Sequence, residues 1–175
     1  LRAEAFGGAG LPQAAGGGSA TGGNILVSSR DEKVIEITGV ISASSNATGG
    51  GGYAGAMTGT GGWVTVETAT AGFLTVDGSA GLTAQGFGGL GQGAQTGGLG
   101  TGGTATMRAA GGLLSVEGDV FLNTNGNGGL QLDNAMAGDG QGGTAQVLIG
   151  ASGEIDLQSS LELLAFGTGG SGGSG

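Results

Sequence analysis

Residues Thr101–Gly128, TGGTATMRAAGGLLSVEGDVFLNTNGNG, carry the reading on which the fold rests. Apolar and polar residues alternate there in three short bursts, divided by Gly-Gly, by Gly-Asp and by a glycine-rich tail. Alternation at period two marks a strand with one buried face. The pattern recurs at Thr21–Gly49, TGGNILVSSRDEKVIEITGVISASSNATG, and at Thr60–Gly88, TGGWVTVETATAGFLTVDGSAGLTAQGFG. It recurs once more at Gln141–Gly169, QGGTAQVLIGASGEIDLQSSLELLAFGTG.

Working outward, three sets of anchors fix the register. Ile25, Val64, Ala105 and Ala145 are spaced by 39, 41 and 40. Ile35, Leu74, Leu114 and Ile155, and likewise Ala43, Leu82, Leu122 and Leu163, are spaced by 39, 40 and 41. A period held in three separate strands signals a repeat architecture. Helical repeats of this length are excluded by the glycine, since each interior Gly costs a helix about 1 kcal/mol. A four-stranded propeller blade has a similar period and wants tight hairpins such as Asp77-Gly78. The bursts are too short for it, and their register favours one repeat lying on the next.

The expected fold class is therefore all-β: a parallel β-solenoid, three short strands per coil, with long Gly-rich return loops. Strand one is expected at Ile25–Ser29, Val64–Thr68, Ala105–Ala109 and Ala145–Ile149. Strand two is expected at Ile35–Thr38, Leu74–Asp77, Leu114–Glu117 and Ile155–Gln158. Strand three is expected at Ile41–Ser45, Ala80–Ala84, Val120–Thr124 and Leu161–Ala165. Inward columns follow from alternation. They are Ile25/Val64/Ala105/Ala145, Val27/Val66/Met107/Val147, Ile35/Leu74/Leu114/Ile155, Ile37/Val76/Val116/Leu157, Ile41/Ala80/Val120/Leu161 and Ala43/Leu82/Leu122/Leu163.

One continuous solenoid is expected, with coils at 21–60, 61–100, 101–140 and 141–175. Residues 1–20 form the end of a preceding coil and its loop, which holds Pro12. LRAEAFGG at the start aligns with LTAQGFGG at Leu82–Gly89, so the chain reads as a slice of a longer repetitive protein. Gly39, Gly78 and Gly118 occupy the turn after strand two, where a positive φ would suit glycine; the fourth repeat has Ser159 there. The returns Gly49–Thr60, Gly88–Thr101 and Gly128–Gln141 vary in length, as surface loops do. Apolar residues such as Tyr53, Met57, Leu90, Leu99, Leu130 and Leu132 give them footholds, which favours ordered returns.

The composition narrows function by exclusion. Of 175 residues, 48 are Gly; 13 acidic residues against four basic ones give a net charge of −9. Such a surface repels phosphate, so nucleic acid is not an expected partner. No apolar run is long enough for a spanning helix, and membrane insertion is not expected. Without Cys or His there are no disulfides, no structural zinc of the usual kind and no His-based triad.

Few residues carry chemistry. Outward on strand two lie Glu36, Thr75, Ser115 and Asp156, and beside them Thr38, Asp77, Glu117 and Gln158. Asp77 and Glu117, stacked a coil apart, are the one candidate cation column. Calcium wants six to eight oxygens, so the column reads first as a solvated acidic face, with no cofactor expected and calcium the only one considered. Ala137–Gly143, AGDGQGG, is a single degenerate echo of calcium-binding repeats. Arg30-Asp31-Glu32-Lys33 reads as an ion-pair turn between strands one and two. No catalytic residue is expected, because a polysaccharide-cleaving site needs clustered acids and bases. An ice-binding threonine array is broken by Leu26, Glu67, Arg108 and Leu148. Trp63 and Tyr53 are lone aromatics, expected to be packed or to cap loops.

The pattern GGTAxMxAxGGxLSVEGDVxLNTxGxGG at Gly102–Gly129 resembles the repeat regions of large secreted bacterial adhesins, of the filamentous-haemagglutinin type and of autotransporter passengers. The resemblance spans essentially the whole chain, but it is one of repeat style and carries over no binding residue. It implies a β-helical exoprotein at the bacterial cell surface, used for adhesion, fibre formation or biofilm matrix. Expected partners are further coils stacked end to end and surface glycans or proteins. The alternatives are a non-catalytic portion of a carbohydrate-active β-helix enzyme, or a glycine-rich matrix protein whose returns assemble between molecules.

Overall fold

The computed structural model describes residues 1–7, 16–53, 57–132 and 136–172; Pro12 lies outside them. The described residues form parallel strands stacked as a β-solenoid of about four turns, with no helix. Every strand pairs with its equivalent in the next coil, which removes the propeller alternative.

The first strands are Asn24–Ser29 and Trp63–Thr68, and the second are Val34–Ile37 and Gly72–Val76. The third strands are Ile41–Ser44, Ala80–Thr83, Val120–Asn123 and Leu161–Leu164. These match the expected spans to within a residue or two. In the third and fourth coils, strands one and two instead run on as single strands, Thr104–Val116 and Thr144–Leu157. Their register shifts between Ala109 and Gly111, where the fourth coil carries one extra residue. A bulge absorbs it, which is why the spacing grows from 40 to 41 across this stretch. In the first two coils, the corner is a turn with Asp31 and Glu32, then Thr70 and Ala71, at positive φ.

All six inward columns are in the expected register. Leu74, Val76, Leu82, Leu114, Val116 and Leu122 are fully buried at its centre. Ile35, Ile37, Ile155 and Leu157 pack against this core from the outer coils and are only partly buried. Leu163, expected in the core, is 43% exposed, because its column has a coil on one side only.

Each coil is longer than three strands. Two-residue strands follow at Ala47–Thr48, Gly86–Phe87, Gly126–Asn127 and Gly167–Thr168. The returns double back through Ala20–Thr21, Gly59–Thr60, Gly100–Thr101 and Gly140–Gln141. The two short ladders lie face to face as a fin with glycine between them. A Cβ on Gly126 would overlap the carbonyl oxygens of Gln141 and Gly100. The returns are thus ordered where described, and the parts at 54–56 and 133–135 lie outside the described residues.

The turn glycines need a different explanation from the expected one. Gly39, Gly78 and Gly118 are not at positive φ; among described glycines only Gly93 and Gly112 are. A Cβ on Gly78 would sit 2.7 Å from the Gly39 carbonyl oxygen, and one on Gly118 would sit 2.7 Å from the Gly78 carbonyl carbon. The constraint at Gly78 and Gly118 is close approach of stacked backbone. At the start of the chain, Arg2 bridges to Ser44, and Ala5 and Phe6 pair with Ala47 and Thr48. That is the position of Thr83, Gly86 and Phe87, as the alignment of LRAEAFGG implied.

Candidate binding face

Strand one presents three outward columns side by side. They are Asn24/Trp63/Thr104/Thr144, Leu26/Thr65/Thr106/Gln146 and Ser28/Glu67/Arg108/Leu148. Outward positions of adjacent coils are neighbours about 4.8 Å apart, so each column is a row of touching side chains. Gln146 Nε2 donates to Thr106 Oγ1 at 3.1 Å. Trp63 is neither packed nor capping a loop, contrary to expectation: it is 63% exposed on this face. Tyr53 is also exposed, but its ring lies over Gly93 at a fin tip and so does cap a loop.

The third column contains the one ionic cluster of the face. The Arg30 turn folds toward the next coil, so that Arg30 Nη2 lies 2.5 Å from Glu67 Oε1. Arg30 Nε donates to Ser28 Oγ at 2.8 Å, and Ser28 Oγ donates to Glu67 Oε1 at 3.0 Å. Arg108, one coil further on, is 4.0 Å from Glu67 Oε2. The turn's ion pair therefore crosses between coils rather than closing within Arg30–Lys33. Two guanidinium groups share a carboxylate that is itself buried, which ties three coils together. Glu67 and Arg108 hold the same repeat position, so this partnership was available from the period alone.

The acidic column of strand two has the expected register: Glu36, Thr75, Ser115 and Asp156 are in line. Asp77 and Glu117 are equivalent and both exposed, their backbone N–H groups donating to Ile37 and Val76. Among the described residues, no three His, Cys, Asp or Glu side chains gather closely enough to hold a metal. Asp139 of the AGDGQGG stretch is exposed, and Gly140–Gln141 is engaged in the fin ladder.

Sequence reading missed a second stitch. Asp119 Oδ1 accepts from Ser159 Oγ and Ser160 Oγ, each at 2.7 Å. The Ser159 hydrogen bond, then that of Ser160, holds the Asp119 carboxyl below its ordinary range. This explains serine where the other coils have glycine. Polar ladders continue beside the fin. Asn46 Oδ1 accepts from the Gln85 N–H, and Asn125 Oδ1 from the Phe166 N–H, each at 2.8 Å.

No helix among the described residues is long and apolar enough to cross a membrane. Comparison with family models, with curated proteins and with solved structures found no match, and the fold itself is what places this chain: a β-solenoid of about four turns.

Proposed function

We propose that this chain is a structural and adhesive segment of a bacterial surface protein, secreted and built as a fibre of β-coils. The observation that supports it is the open, in-register ladder. Each coil presents to the next the same six columns and the same row of backbone donors and acceptors. Parallel edges of this kind template further pairing. The outermost coil leaves Leu161 and Leu163 partly uncovered and Phe166 exposed, so a further coil, from the same polypeptide or a second copy, would bury them. The glycine returns are engaged within the fin, which favours coil ends over loops as the assembling element. Surface glycans or proteins are the partners of the adhesive role.

Negative-stain electron microscopy of the native material tests this reading. Long thin fibres, with a width that stays constant as length grows, are expected. Uniform globular particles at every concentration would overturn it.

A further inference from the structure

We propose that the outward column Asn24, Trp63, Thr104 and Thr144, flanked by Thr65 and Gln146, binds a linear neutral oligosaccharide laid along the solenoid axis, one sugar ring to each coil. The inference deepens the adhesive half of the reading above and does not require fibre formation.

Trp63 is the chain's single tryptophan and stands 63% exposed in the middle of this column. Its indole offers a flat apolar surface of the kind that stacks on the C–H face of a pyranose. Asn24 precedes it and Thr104 and Thr144 follow it in strict register. A row of amide and hydroxyl groups either side of an aromatic platform supplies the donors and acceptors that ring hydroxyls need. Coils rise about 4.8 Å, close to the length one ring occupies in an extended chain, so ring and coil keep step.

Charge selects the class of sugar. The column itself carries none, and Arg30, Glu67 and Arg108, at the other end of the same face, are engaged with one another. With a net charge of −9 the chain repels acidic polysaccharides, leaving a neutral one. The platform is held by hydrogen-bonded parallel strands, so little ordering is needed on binding.

The lone indole makes its own reporter. Titrating the intact chain with cellohexaose, a straight β-1,4 chain, is expected to change Trp63 emission saturably. Maltohexaose, which curves, should bind at least about tenfold more weakly. By calorimetry, Trp63→Ala should remove binding and Thr104→Leu should weaken it, both with an unchanged melting temperature because neither site is in the core. Three results would each overturn the proposal. These are emission that neither sugar moves, equal affinity for the straight and curved chains, or emission that shifts with protein concentration alone, which would make the face a contact between copies. Binding is read on dispersed protein, so its failure leaves the fibre reading standing, and the reverse also holds.

Discussion

The three-strand coil and the glycine fin use the same parallel ladder and fill their interiors in opposite ways. Inside the coil, matched aliphatic columns such as Leu74 on Leu114 occupy the space between strands. Inside the fin, the space is closed until backbone meets backbone across Gly86, Gly100 and Gly126. The first arrangement draws its stability from apolar area removed from water. The second removes few side chains from water, Ala20, Ala47 and Met57 of the first coil among them. It rests on hydrogen-bonded backbone, such as the Gly102 and Gly143 N–H groups on the Gln141 and Thr124 carbonyls. A side-chain core tolerates volume-conserving exchange. In the ladders of the backbone core the largest buried side chain is a methyl, at Ala20 and Ala47 of the first coil.

That contrast is broken most sharply by adding one. Gly126→Val should cost more than about 4 kcal/mol in denaturant unfolding, or abolish folding, because backbone cannot yield as a side-chain tip can. Gly81 is the matched control: it lies outward on a third strand, and its Cβ would meet only the Ile41 carbonyl oxygen at 3.9 Å. Gly81→Val should stay within about 0.5 kcal/mol of the parent. Equal losses at the two sites would show that the fin is not the close-packed element described. The next effect down sharpens the core side. Leu114→Ala should cost about 2–5 kcal/mol, since a central coil leaves a cavity that neighbours above and below cannot fill. Leu163→Ala, in an outer coil with its side chain already 43% exposed, should cost clearly less by the same assay.

The smallest effect concerns a stitch outside both interiors. The carboxyl of Asp119 is held below its ordinary range in the folded state, so its contribution is fully present above the unfolded pKa of about 3.9. It is lost as pH falls through the lower folded value. Melting temperatures of the parent and Asp119→Asn should therefore differ slightly at neutral pH and converge in strong acid. A gap that persists below pH 2 or so would show that the carboxylate is not its source.

Much of this was legible in the residues. Ile35, Leu74, Leu114 and Ile155 announced both the period and the inward face, and alternation then placed every column. Ladder pairing depends only on equivalent positions, and those are visible as spacing. The role of the turn glycines was not legible. A positive φ and a close backbone approach both select glycine, and only the position of Gly39 beneath Gly78 separates them. Trp63 was misjudged for a related reason. Its outward placement followed from the same alternation that buried Val64 and Val66, but the general preference of aromatics for packing was given more weight than its register. The Asp119 stitch was half legible: Asp119 and Ser160 hold the same repeat position, 41 apart like Val120 and Leu161, whereas Ser159 reaches Asp119 from one residue off that column.

By itself the sequence determined the repeat, the parallel stacking and the composition of the side-chain core, because each follows from periodicity along one dimension. The tertiary structure alone decided that the glycine returns close into a second, glycine-lined interior, that strands one and two merge in the later coils, and that the Arg30 turn reaches Glu67 of the next coil. Those outcomes depend on which segments face one another across a coil, and that is a property of the closed path of the backbone rather than of any spacing within it.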